Sequence, residues 1–185
     1  MKSDKQLYLS FLNGDNKSFE ELIIRHKDNL IFFLQRYIKD IFTCEDIAQD
    51  VFAYIFTFKE KYNMQYNFKT YIYTIAKNKA IDYIRKQKCN ISIEETNEEL
   101  FIQDELLDKV FSKDIKNMVQ KAISMLKPDY QKIIFLVDFL EFSYKDAAIV
   151  MGKTAPQVKI MIFRARKALK KIIEKEGYIY DENYQ

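Results

Sequence analysis

Two helix-capping signals with a glycine between them constrain this chain more than any other feature of its sequence. Ser143 and Asp146 form an S-x-x-D signal for the start of a helix, and Gly152 can supply the left-handed residue that ends it. Thr154 and Gln157 form a second capping box that begins a longer helix. Two helices joined by a short connection with glycine are typical of a helix-turn-helix.

The longer helix has two different faces. Apolar residues at helical spacing predict the buried face: Val158, Ile162, Ala165, Leu169 and Ile172 or Ile173. The opposite face has no acidic residue and consists of Gln157, Lys159, Ile160, Phe163, Arg164 and Lys167. Such a face suits the DNA major groove, since Lys and Arg bind phosphate or guanine and apolar side chains contact thymine methyl groups. A basic surface helix of an ordinary bundle explains the pattern equally well.

Residues that favour tight turns are scarce along the whole chain. Only 3 Gly and 2 Pro occur in 185 residues, of which 48% are hydrophobic, so we expect an all-α fold with real cores. The two cysteines and the single histidine lack metal-ligand spacing, which indicates a reduced, cytoplasmic protein with no metal site. The start lacks a signal peptide and no apolar run approaches a membrane span, so we expect no stable membrane insertion.

Charge divides the sequence into blocks. Residues 1–88 carry 15 Lys and Arg against 11 Asp and Glu, and residues 109–175 carry 15 against 6. Residues 89–108 carry seven acidic residues and no basic one. We therefore predict two small helical domains, residues 1–88 and 111–175, joined by an acidic linker over 89–110 and followed by a tail over 176–185.

A second amphipathic helix is predicted to start at a capping box formed by Thr43 and Asp46. Its apolar side includes Ile47, Val51 and Ile55. The other side carries a stripe, which we call the acidic stripe: Asp46, Gln49 and Asp50, with Glu45 near its edge. The stripe is either a solvated face or a docking surface for a basic partner.

Residues 59–67 combine polar and aromatic side chains, and the helix that follows continues the pattern. Asn63, Gln65 and Tyr66 in the loop can stack on bases or bond their edges, although a plain surface loop is the commoner explanation. One side of the helix shows aromatic, polar and basic residues that suit a single nucleic-acid strand: Tyr71, Thr74, Lys77, Asn78, Arg85 and Lys88.

Three segments together resemble the extracytoplasmic-function group of bacterial sigma factors in the sigma-70 family. Residues 44–52 (CEDIAQDVF) resemble its A-E-D-L-x-Q-E-V-F segment, and residues 71–86 resemble its W-L-x-x-I-A-x-N-x-x-x-D-x-x-R-K segment. The helix-turn-helix, ending in Arg164-Ala165-Arg166, is similar to its S-Y-x-E-I-A and V-K-x-x-x-x-R-A-R segments. The resemblance covers roughly residues 15–172, with Tyr71 in place of the usual Trp and Ala147 in place of the usual Ile.

This resemblance implies a role for each segment. The first domain would bind core RNA polymerase through Glu45, Asp46, Gln49 and Asp50. It would hold the unwound -10 strand with Asn63, Gln65, Tyr66, Tyr71, Thr74, Asn78 and Arg85. The second domain would bind the -35 duplex with Thr154, Gln157, Lys159, Ile160, Phe163, Arg164 and Lys167. The acidic linker would pass near the RNA path as a nucleic-acid mimic, and an anti-sigma factor is a further partner that the resemblance leaves open.

Two functions remain for comparison. The first is an alternative sigma factor that directs promoter-specific transcription initiation with core RNA polymerase. The second is a stand-alone helix-turn-helix regulator that binds duplex DNA as a dimer, which would leave residues 43–88 unexplained. An enzyme is the least supported class, since the three glycines form no phosphate-binding loop. We expect no catalytic residue and no cofactor.

Overall fold

Eight α-helices make up the part of the chain that the computed structural model describes, residues 2–90 and 113–175, with side chains for 2–87 and 118–175. The helices are α1 (Asp4–Leu12), α2 (Asn16–Leu34), α3 (Ile41–Thr57), α4 (Phe68–Asn90), α5 (Lys113–Ser124), α6 (Pro128–Ile134), α7 (Tyr144–Met151) and α8 (Ala155–Lys175). A 3-10 turn follows α3, and a π-helical stretch, Phe135–Phe139, follows α6. These ranges contain no strand, which confirms the all-α fold. The predicted tail and nearly all of the predicted linker lie outside the described residues, although Cys89 and Asn90 continue the backbone of α4.

Helices α1 to α4 pack around a core rich in aromatic rings. The ring of Tyr8 lies 5.6 Å from Phe11, 4.7 Å from Tyr62 and 5.3 Å from Phe68, measured between centroids. The Tyr8 hydroxyl donates a hydrogen bond to the carbonyl of Lys59 at 2.7 Å, so burying this phenol leaves no unpaired donor. This contact ties α1 to the chain between α3 and α4.

Helices α5 to α8 form a second group in which α8 contacts each of the other three. Its predicted apolar stripe is buried at Val158, Ile162 and Ala165. The helical spacing of these residues places one continuous face of α8 in the core, as expected from the sequence. The opposite face of α8 is left to solvent.

Helix α3 begins earlier than the sequence analysis predicted. Its N-cap is Asp40, whose Oδ2 accepts bonds from the backbone N–H of Thr43 at 2.8 Å and from the Thr43 hydroxyl at 2.6 Å. The prediction that Thr43 caps this helix was wrong, because Asp40 is an equally strong capping residue three positions upstream. Asp46 therefore lies in the second turn and not in a capping box.

A polar cluster joins α1 to α2. The carboxylate of Asp4 lies 2.7 Å from Nε2 of the buried His26 and 2.5 Å from Nη1 of Arg25. Burial alone would raise the pKa of Asp4, but the bonds and charges of His26 and Arg25 outweigh it and hold this pKa below its usual range. The charged form of Asp4 therefore stabilises the fold.

We expect Asp4→Asn to lower the free energy of unfolding at neutral pH by about 1.5–3 kcal/mol, the range for a hydrogen bond to a charged group. Because the folded pKa of Asp4 lies below the unfolded value, its contribution is complete above about pH 5 and is lost as pH falls through the folded pKa. Urea unfolding at several pH values measures the difference from wild type. Asp28→Asn, a neutralisation at an exposed site on α2, is the control. A constant difference down to pH 2 would contradict the assignment.

Candidate nucleic-acid interface

The predicted helix-turn-helix is formed by α7, a turn at Gly152 and α8. The Ser143 hydroxyl accepts a bond from the backbone N–H of Asp146 at 3.1 Å, and Gly152 ends α7 with a φ of 67°. Thr154 and Gln157 exchange the two bonds of a capping box, at 3.4 and 2.8 Å. Both predicted capping signals and the left-handed glycine are therefore confirmed.

The side chains expected to read the -35 duplex share one exposed surface of α8 and its N-terminal turn. They are Thr154, Gln157, Lys159, Ile160, Phe163, Arg164 and Lys167. Phe163 keeps 68% of its surface exposed and Ile160 keeps 53%, although both are large and apolar. They lie one helical turn apart between basic residues, an arrangement in which a DNA groove could bury them against thymine methyl groups.

The two arginines at the end of the motif have different environments. Arg166 donates hydrogen bonds from Nε and Nη2 to the carboxylate of Asp138, the first at 3.3 Å, and so fastens α8 to the π-helical stretch. Arg164 lies on the exposed face. Both arginines are exposed, but the guanidinium of Arg166 is engaged by Asp138, so Arg164 is the better placed of the two for contact with a base.

The side chains expected to hold the -10 strand fall into two groups along the loop and α4. The exposed ones are Asn63, Gln65, Tyr66, Asn78 and Arg85, whereas Tyr71 and Thr74 are partly buried. The Thr74 hydroxyl donates to the carbonyl of Thr70 at 2.7 Å, within the helix. An incoming base would have to compete for that donor.

Tyr62 shapes the loop before α4. Its hydroxyl donates to the carbonyl of Tyr66 at 2.6 Å, and its ring centroid lies 5.0 Å from that of Tyr71. The side-chain oxygen of Asn63 accepts from the backbone N–H of Gln65 at 3.0 Å. Burial raises the pKa of the Tyr71 phenol, which keeps this ring neutral. Nothing in the sequence pattern singled out Tyr62, because aromatic residues occur throughout residues 54–73.

The acidic stripe lies on α3, with Asp46, Gln49 and Asp50 exposed and Glu45 partly buried. Asp50 Oδ2 lies 3.2 Å from Nζ of Lys79 on α4. Because 70% of the Asp50 side chain is exposed, we expect this pair to contribute little to stability. The exposed side chains of Asp46, Gln49 and Asp50 are therefore accessible to a partner.

Helix α7 packs against α4, which the picture of two separate units did not predict. The Asp146 carboxylate accepts a bond from the Thr70 hydroxyl at 2.9 Å and from the Asn67 amide at 3.4 Å. In the sequence, the apolar residues of α4 are spread over more than one stripe. A helix with apolar residues on several sides is expected to be contacted on more than one side. Tyr73, which is fully buried, was the residue in the sequence that could have indicated this second contact.

No group of three or more His, Cys, Asp or Glu side chains suited to a metal ion occurs in the described part of the chain. Among the same residues, none of the helices has the length and apolar character needed to cross a membrane.

Two family models match the chain. Sigma-70 region 2 matches residues 22–89, and sigma-70 region 4 matches residues 116–169. The first covers the acidic stripe, the loop and α4, and the second covers the helix-turn-helix. The two matches therefore contain every candidate site described above.

Relatives agree with the matches over nearly the full length. The chain is 28% identical over 168 residues to the ECF RNA polymerase sigma factor SigW of Bacillus subtilis, covering 85% of this chain and 90% of the relative. In fold it is similar to the sigma factor RpoE of Bartonella quintana, solved with the anti-sigma factor NepR, at a TM-score of 0.65 and 24% identity over 85% of this chain and 98% of that one. CnrH, solved with the cytosolic domain of CnrY, gives a TM-score of 0.66 at 20% identity over 94% and 99% of the two chains. The chain therefore belongs to the extracytoplasmic-function group of the sigma-70 family of RNA polymerase sigma factors.

Proposed function

We propose that this chain is an alternative sigma factor that binds core RNA polymerase and directs initiation at promoters with -10 and -35 elements. Residues 1–88 would bind the polymerase and the -10 strand, and residues 111–175 would bind the -35 duplex. The intervening segment, 89–110, would serve as the connection between them. The protein would act in the cytoplasm, where its polymerase is, and would contribute no catalysis of its own.

One observation supports this function above the others. A single chain carries two nucleic-acid faces of different chemistry, one suited to duplex and one to unpaired bases. The exposed row of basic and apolar side chains on α8 fits a major groove. The aromatic and amide side chains around Tyr66 and Tyr71 fit bases that have left the duplex. Promoter opening is a process that presents both substrates at once.

The stand-alone regulator considered from the sequence is wrong. Such a protein needs only the helix-turn-helix, whereas the region 2 match spans residues 22–89 and includes the acidic stripe. The stripe is exposed on α3, on a different element from both nucleic-acid faces. A basic surface on the polymerase is the partner that fits its charge. By analogy with RpoE, we also include an anti-sigma factor among the partners proposed for this chain.

Start-site mapping tests the proposal. The purified chain, added to core polymerase and a genomic template, is expected to create start sites that core polymerase alone lacks. The free chain is expected to bind duplex DNA weakly, because the affinity depends on polymerase fixing both domains on one promoter. Nanomolar sequence-specific binding of the free chain to duplex at physiological salt, without new start sites, would refute the proposal.

We expect Arg164→Ala and Lys167→Ala to weaken promoter binding in different ways. A bidentate bond from Arg164 to guanine is worth about 1–3 kcal/mol at one -35 position, so its loss relaxes the preference at that position. Lys167 is expected to contact phosphate, so its loss should weaken binding to all promoter sequences by a similar factor and reduce the salt dependence of binding. Selection from a randomised -35 library with each holoenzyme measures this. Uniform losses for both variants would mean that Arg164 reads no base.

We expect Asp50→Lys to abolish co-elution with core polymerase and leave thermal unfolding nearly unchanged. The change places like charge against a basic partner surface, which costs several kcal/mol, whereas exposed substitutions usually change stability by less than about 0.5 kcal/mol. Lys79→Ala is the matched control, since it removes the same Asp50–Lys79 pair and leaves the stripe intact. Co-elution and initiation by the Asp50→Lys protein, or equal failure of Lys79→Ala, would exclude Asp50 from docking.

A further inference from the structure

Phe42 is the most exposed aromatic side chain in the described part of the chain. It lies in the first turn of α3, and 73% of its surface is open to solvent. Single apolar residues are common on protein surfaces and need no partner. Phe42 differs from such a residue because of the side chains that share its face of the helix.

The backbone that carries Phe42 is held in place on both sides. Asp40 caps α3 through Oδ2, which accepts the N–H of Thr43 at 2.8 Å. The thiol of the buried Cys44 donates to the carbonyl of Ile38 at 3.4 Å and closes the turn before the helix. Phe42 lies between these fixed points, so a partner that covers its ring has little additional backbone to order.

Helical periodicity places Phe42 on the face that carries the acidic stripe. Asp46 follows it by four residues and Gln49 by seven, close to one and two turns of a helix with about 3.6 residues per turn. The same face reaches a second phenylalanine, Phe56, 14 residues from Phe42 and close to four turns away. The stripe is therefore flanked by a phenylalanine at each end, with the two about 21 Å apart along the helix axis.

The two rings are supported differently. Phe56 keeps 49% of its surface exposed, while its ring centroid lies 5.5 Å from that of Phe11 and 5.7 Å from that of Phe19. One side of Phe56 thus packs on the core. Phe42 is not among the residues that pack into the core of the described chain. A substitution at Phe42 therefore leaves no cavity in the core, and this residue is the one to test.

Charge restricts what can cover this face. Glu45, Asp46 and Asp50 repel the phosphates of DNA, which argues against nucleic acid as the partner. A symmetric contact between two copies of the chain through this face would bring the same carboxylates together, which is unfavourable. A protein surface with basic side chains and apolar groups beside them fits the face. In the proposed function, that surface belongs to core polymerase.

We infer that Phe42 is an apolar anchor of the polymerase interface, buried beside the basic surface that meets the acidic stripe. The inference rests on the proposed function and names a residue that determines how long the complex lasts. Charged groups mainly speed the encounter of two proteins, whereas a buried aromatic ring mainly slows their separation. The stripe and the Phe42 ring therefore act on different rate constants.

Association and dissociation rates of the full chain with immobilised core polymerase, measured at two salt concentrations, separate these roles. We expect Phe42→Ala to speed dissociation by about tenfold to a hundredfold and to leave association nearly unchanged. This ratio should be the same at both salt concentrations, because salt does not screen an apolar contact. Phe42→Leu keeps an apolar side chain and should recover most of the lifetime. Asp46→Asn should instead slow association, and its effect should shrink as salt rises.

Ile24→Ala is the matched control, because Ile24 is apolar and 78% exposed but lies on α2 and not on the face of the stripe. It should dissociate as the wild-type chain does. A wild-type dissociation rate for Phe42→Ala, or an equal effect of Ile24→Ala, would overturn the inference. A changed oligomeric state of free Phe42→Ala with unchanged polymerase binding would also overturn it, since Phe42 would then serve a contact between copies. Absence of binding by the wild-type chain would overturn the proposed function as well, and so differs from failure of the inference alone.

Discussion

Burial of α4 on two sides is the constraint on which the rest of this structure depends. Ile72 and Ala76 are fully buried, and so is Tyr73 on an adjacent side of the same helix. Fixing α4 in this way holds Tyr71 and Thr74 at the edge of the packed surface, where they are partly exposed. If Tyr71 and Thr74 bind an unstacked base as proposed, they benefit from such support, because a rigid element keeps side chains in one geometry. The aromatic core around Tyr8 and Tyr62 provides the same support for the loop that precedes α4.

Local sequence signals predicted the helix-turn-helix well because short-range interactions determine it. Caps at Ser143 and Thr154 and the left-handed Gly152 each depend on residues within a few positions, and all three are formed as expected. The stripe on α8 follows from helical periodicity alone. The start of α3 was predicted wrongly for the same local reason, since Asp40 and Thr43 are competing capping residues and sequence spacing does not decide between them.

The contact between α4 and α7 was missed because its partners are distant in the sequence. Thr70 and Asp146 are separated by 76 positions, and neither residue type is unusual where it stands. Tyr73 was not singled out from the sequence, although its buried ring meets Phe33 in the first group of helices and Phe142 in the second. The role of Arg166 was missed likewise, because its partner Asp138 lies on a different element. Contacts between side chains on different helices become visible only in the fold, whereas helix caps and the apolar face of a single helix can be predicted from the sequence.

The contact between α4 and α7 combines favourable packing with two local energetic costs. Tyr73 is buried and its hydroxyl has no hydrogen-bond partner among the described residues, which costs about 1–3 kcal/mol relative to a paired group. Glu141 adds a left-handed backbone conformation at a cost of about 1–3 kcal/mol. These costs offset part of what the rings of Phe142 and Tyr73 gain by packing together.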